Sequence, residues 1–134
     1  MFTSIPLDVA GPGVLLAIAA FSIGALIVLT LIITVAEAIV MLLLKWDKFG
    51  RSLWASLLMN VTSTIFGGVL IALGVLGGSY IWLAVAFVLS VLIEAGVLML
   101  MKRGEVRKNL LTSLIANLAS YLVIILPIIL LNTR

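Results

Sequence analysis

The sequence predicts an all-α integral membrane protein whose four transmembrane helices form two duplicated helical hairpins, a parallel repeat about a pseudo-twofold axis along the membrane normal. Three observations carry this: a composition too apolar for water, four apolar runs long enough to cross a bilayer, and a gapless internal match at a shift of 57 residues. Of the 134 residues, 65% are hydrophobic and 10% charged, and mean hydropathy is +1.45. A soluble domain covers its surface with about 25% charged residues. Cys and His are both absent, which removes disulfides, thiolate nucleophiles and the commonest zinc, copper and haem ligands, so no metal or other cofactor is expected.

The apolar runs are Val14 to Leu44, Leu53 to Leu76, Ile81 to Met101 and Leu110 to Leu131, against about 20 helical residues needed for a hydrocarbon core of about 30 Å. Residues 1–134 therefore read as one four-helix transmembrane domain, with repeat units over 23–77 and 80–134. The opening segment MFTSIPLDVAGPG has no Lys or Arg before the first run and no cleavage pattern, so it does not read as a signal peptide. The first run has 31 residues and would reach about 46 Å at a rise of about 1.5 Å per residue. With Lys45 at one boundary, its core-crossing part begins near Ile23 or Gly24, which leaves Val14 to Ser22 protruding, tilted or interfacial.

Polar residues recur at helical spacing inside these runs. Ser56, Asn60 and Ser63 fall at i, i+4 and i+7 on one face of the second, continuing through Gly67, Gly74 and Gly78. Gly74 and Gly78 make a GxxxG expected to let another backbone approach, and the serines are expected to serve packing. Thr30, Thr34 and Glu37 repeat the spacing on the first run, and Glu94 stands in the third. In the fourth, Ser113, Asn117 and Ser120 form the stripe, Tyr121 lies one turn beyond Asn117, and Pro127 removes a backbone donor and is expected to bend the helix.

Orientation follows from the basic residues near the ends of the runs. Lys45, Lys48 and Arg51 lie in one loop and Lys102, Arg103, Arg107 and Lys108 in another, leaving only Arg134 elsewhere. Both loops follow odd-numbered runs and so share one face, expected to be the cytoplasmic face of a bacterial inner (plasma) membrane. The GGSY connection and both termini are then outside. Trp46 and Trp54 are expected as interfacial anchors on the inner side, and Tyr80 and Trp82 on the outer. The net charge of +3, confined to these loops, speaks to orientation and lipid rather than to nucleic acid.

Laid on Glu94 to Ser120, the segment Glu37 to Ser63 matches at Glu37, Ala38, Val40, Leu43, Lys45, Leu53, Ser56, Leu57, Asn60 and Ser63. Four of these pairs are polar residues inside apolar runs, which a background of Leu, Ile and Val rarely aligns by chance. Each unit holds two runs and keeps one orientation, hence a parallel repeat. Glu37 lies seven residues before Leu44, Asn60 seven after Leu53, Glu94 seven before Met101 and Asn117 seven after Leu110. Each is thus about 10 Å inside the boundary, and each Glu is expected to face the Asn of its own hairpin.

An intramembrane carboxyl costs about 2.5 to 3.5 kcal/mol on insertion scales, whereas an interhelical hydrogen bond returns about 0.6 to 2. No Lys or Arg lies inside the runs to neutralise it, so a protonated Glu donating to the Asn carbonyl oxygen is expected. Glu37, Asn60, Glu94 and Asn117 are accordingly the candidates for binding a proton or cation, supported by Thr34, Ser56, Ser63, Ser113, Ser120 and Tyr121. Transport or conduction linked to a proton or cation is the expected function; the alternative is a non-catalytic accessory subunit of a respiratory, photosynthetic or transport complex. Without His, an activated nucleophile or an intramembrane Asp, no enzyme is expected. The expected partners are the lipid bilayer and either further copies of the chain or other membrane subunits.

The basic-residue asymmetry makes a direct prediction about topology. A reporter active only in the cytoplasm is expected to be silent when fused after Arg134 and active when inserted at Lys48; activity at the C-terminus overturns the orientation.

Overall fold

The breaks between helices fall where charged or glycine-containing segments interrupt runs of Leu, Ile, Val, Ala and Met. The computed structural model describes residues 12–75, 80–125, 127 and 131. Among these the chain is all-helical, with α1 (Pro12–Leu43), α2 (Phe49–Ala72), α3 (Tyr80–Met101) and α4 (Val106–Ser120), the last running into a π-helical turn at Tyr121–Ile125. Pro12 stands in the first turn of α1, where a missing N–H removes no intrahelical bond. The segment MFTSIPLDVAG, Gly78, all but Tyr80 of the GGSY connection, and Arg134 lie outside the described residues.

Three stretches, Ala20–Leu43, Phe49–Ala72 and Ala84–Met101, are long and apolar enough to cross a membrane. The expected fourth run, Leu110 to Leu131, reaches beyond the described residues; among those described, regular α-helix ends at Ser120 and widens at Tyr121. Pro127 gives the physical reason, since its ring crowds the carbonyl of Val123 and offers that oxygen no N–H. A π turn just before it re-spaces the backbone, in place of the simple bend expected. α2 and α4 each begin four residues before their apolar runs, at Phe49 and Val106. The charged residues of those first turns are good helix formers with side chains long enough to reach water.

The chain forms two compact units, Met1–Leu31 and Ile32–Arg134. In the first, Phe21, Ile23, Leu26, Ile27, Val28 and Leu31 are exposed. The second holds every candidate site residue. Among its described residues, buried polar side chains outnumber buried apolar ones, while Ile65, Leu100 and Val123 on the outside are each more than 60% exposed. That partition is the reverse of a water-soluble core.

A small apolar cluster of Met41, Trp46, Ala55, Met59 and Leu98, flanked by Val97 and Met101, packs at the end of the unit that carries the basic loops. A helix-ending reversal delivers Trp46 into it. Lys45 takes a left-handed conformation (φ 54°), its N–H bonds to Leu42 O at 3.0 Å and that of Trp46 to Met41 O at 3.0 Å. This is a Schellman ending, normally built on glycine. A lysine in that conformation costs about 1 kcal/mol or more, which burial of the Trp46 ring against Met41 offsets. Gly74 closes α2 in the same way, at φ 69°, with Gly74 N–H on Ile71 O and Val75 N–H on Leu70 O. Its positive φ suits glycine to this turn, and nothing among the described residues lies within 4 Å of a Cβ placed on it.

The two basic loops are tied together. Trp46 Nε1 donates to Asn109 Oδ1 at 2.8 Å, Asn109 Nδ2 donates to Lys102 O at 2.8 Å, and Lys102 Nζ donates to Trp46 O at 2.5 Å. Lys102 Nζ also stands 5.4 Å from the centre of the Trp46 ring. Arg51 Nη2 donates to Met101 O at 3.1 Å and pairs with Asp47 at 3.2 Å. Side chains from α2 and α4 thus satisfy two carbonyls at the end of α3 that no helical N–H reaches. The Lys48 backbone N–H, helped by Arg51 and Lys102, holds the Asp47 carboxyl below its ordinary value. Trp46, expected as an interfacial anchor, is instead completely buried, because its indole N–H has a partner inside.

Trp46→Phe leaves Asn109 Oδ1 without its donor, and Asn109→Ala leaves the indole N–H without its acceptor. Each is expected to cost about 1–3 kcal/mol, and the double variant less than the two together. Thermal unfolding of the detergent-solubilised protein checks this, and strict additivity refutes the contact.

Candidate functional site

Helical spacing brings each Glu onto the Asn of its own hairpin. Ser56 and Asn60, one turn apart on α2, project from one face toward Glu37 of α1. Ser56 Oγ donates to Glu37 Oε2 at 2.9 Å and Asn60 Nδ2 to the same oxygen at 2.6 Å. The other carboxyl oxygen, Oε1, accepts from Ser120 Oγ of α4 at 3.1 Å. Donors from α2 and α4 therefore close on one acid of α1. Its counterpart Glu94, on α3, accepts at Oε2 from Asn117 Nδ2 of α4, and Ser63 lies alongside it. Glu37 and Glu94 are 1% and 2% exposed, and among the described residues no Lys or Arg pairs with either. The two carboxyls are near enough to repel one another when both are charged.

The amides are oriented by a second bond. Asn60 Nδ2 also donates to Ser56 O, and Asn117 Nδ2 to Ser113 O, each at 3.0 Å. A carbonyl has no proton to give, so the atom facing it must be nitrogen, and the same nitrogen then faces the carboxyl. This corrects the expected direction: Asn is the donor and Glu the acceptor. It also explains how asparagine is tolerated within a helix, since its competition for the backbone is confined to its own i−4 carbonyl.

The supporting residues divide. Ser56 and Ser120 reach Glu37. Ser113 Oγ turns instead to Val91 O at 2.8 Å, and Ser63 Oγ donates to Asn60 O at 3.3 Å. Thr34 is buried, and its hydroxyl has no partner among the described residues. Tyr121 packs edge-on against Phe87, ring centres 5.0 Å apart at 80°, within electrostatic reach of Glu94. A cavity of about 40 Å³ lies between α2 and α3, bounded by Ser63, Gly67, Ser90 and Ile93. It has room for a water molecule beside polar groups. Sequence reasoning missed the bond from Ser120 across to Glu37 and the buried Trp46–Asn109 contact. Repeat alignment did carry a trace of the latter, since Asn109 falls on Ser52, and both are fully buried.

Carboxylate, amide and hydroxyl oxygens are hard donors suited to a proton or a hard cation. Among the described residues no group of three or more His, Cys, Asp or Glu converges. No protein-family model, curated protein or solved structure matches the chain.

The two serines at matching positions are expected to behave differently. Ser56→Ala removes a donor to a buried carboxyl, a bond of about 1.5–3 kcal/mol, whereas Ser113→Ala removes a neutral one of about 0.5–1.5. Thermal denaturation of both variants checks the order; a larger loss for Ser113→Ala contradicts these hydrogen-bond assignments.

Proposed function

We propose that the protein is an integral membrane protein of four transmembrane helices, two duplicated hairpins, that moves a proton or a cation through the paired sites Glu37/Asn60 and Glu94/Asn117. One observation carries the proposal: two buried carboxyls, near enough to interact, are held by amides and hydroxyls with no cation to neutralise them. Such groups are costly in lipid and mark ion or proton pathways by default. The matching geometry of Asn60 and Asn117 supports the repeat, and the apolar exterior supports the membrane. Both termini are outside and the basic loops cytoplasmic in this reading. Four helices enclose little space, so a homo-oligomer is the working form.

A second reading, a non-catalytic subunit of a larger membrane complex, is favoured by the open glycine faces. A Cβ placed on Gly24, Gly67 or Gly68 meets nothing within 4 Å, and small residues are what neighbouring membrane helices pack against. Neither reading involves catalysis.

Gln keeps the volume of Glu and can hydrogen-bond, but it cannot release a proton. Glu37→Gln and Glu94→Gln are therefore expected to preserve expression and thermal stability while reducing proton or cation flux in liposomes at least tenfold. A double Gln variant with unchanged flux, beside a wild type that transports, ends the transport reading. Mild-detergent extraction from the native host separates the two readings: a discrete co-purifying assembly supports the subunit, and a lone chain or homo-oligomer the transporter.

A further inference from the structure

The basic loop after α3 carries more than orientation requires. At its α4 end a cavity of about 510 Å³ opens between the end of α1 and the first two turns of α4. One wall is apolar, formed by Leu44, Leu111 and Ile115, all partly exposed; the other carries Arg107, Lys108 and Glu105. Glu105 is already neutralised by Lys108 at 3.3 Å and Lys102 at 3.8 Å. Arg107 is exposed and makes no ion pair among the described residues. Glu105 stands at the N-cap of α4 without a side-chain bond to it, so uncapped N–H groups and the positive end of the helix face the same opening. Positive charge beside an apolar wall, at the level where the helices leave the lipid, fits an amphipathic anion.

We infer that this cavity binds an anionic phospholipid, its headgroup phosphate on Arg107, Lys108 and the α4 N-terminus and its acyl chains along Leu44, Leu111 and Ile115. In the loop after α1, Arg51 is committed to Asp47 and Met101 O. The inference rests on the membrane reading proposed for the chain. Native mass spectrometry of the full chain, extracted in neutral detergent and offered phosphatidylglycerol or phosphatidylcholine, tests it. Wild type is expected to retain phosphatidylglycerol selectively. Arg107→Gln should weaken retention about fivefold, the usual effect of one basic residue near an anionic surface, while Lys48→Gln, which removes a charge from the other loop, leaves it unchanged. Equal retention of both lipids by the folded protein, equal loss in the two variants, or displacement by millimolar inorganic phosphate overturns the lipid site. A chain released from membranes by alkaline carbonate overturns the membrane reading, and this site with it, before any lipid is offered.

Discussion

Everything in the packed unit answers to one constraint: a carboxyl removed from solvent must be given donors, and the chain has no histidine and, among the described residues, no buried cation to provide them. Hydroxyls and primary amides are the remaining choices. A carboxyl group presents about four acceptor positions, and three donors from two other helices converge on Glu37. The stripe of Ser, Asn and Ser is thus the solvation shell of an acid, spaced by the helix repeat. Removing any one donor leaves the others in place but exposes part of the acid to apolar surroundings, which makes the cluster cooperative.

At the loop end the same rule applies to backbone. The last carbonyls of α3 have no helical donors, and Arg51 and Asn109 arrive from α2 and α4 to fill that role. Trp46, Lys102 and Asn109 close a ring in which every polar atom has a partner, and the indole supplies the apolar mass that α1, α2 and α3 pack around. The result is a unit pinned at two levels, by the clasp between loops and by the acid-centred bonds farther in.

Helix existence and the Glu–Asn partnership were legible in the sequence for a simple reason: both depend on spacing along one chain. A rise of about 1.5 Å per residue converts distance from a loop into depth, so Glu37 and Asn60 could be matched without a structure. The bond from Ser120 to Glu37 could not, because it depends on how one hairpin sits against the other, and no periodicity encodes that. Trp46 was misassigned for a related reason. An aromatic beside lysines normally anchors at an interface, and only Asn109, 63 positions away, makes its interior placement favourable. Gly74 ends α2 in a turn that the GxxxG spacing does not announce, and its positive φ is what shows it. The π turn lay in the shadow of Pro127, where sequence announces a disturbance but not its form.

The two acids occupy matching positions yet are not equivalent, and the difference lies in where hydroxyls point. Ser56 gives its proton to Glu37, whereas Ser113, its match in the other hairpin, gives its proton to Val91 O. Ser120 and Ser63, by contrast, keep the match: Ser120 Oγ contacts both Asn117 O and Glu37 Oε1, and Ser63 donates to Asn60 O while lying alongside Glu94. Glu37 accepts from three side chains, whereas Glu94 accepts from Asn117 with Ser63 alongside and without Ser113. One hydroxyl direction, that of Ser56 against that of Ser113, is thus enough to distinguish two acids that a shift of 57 residues lays on one another.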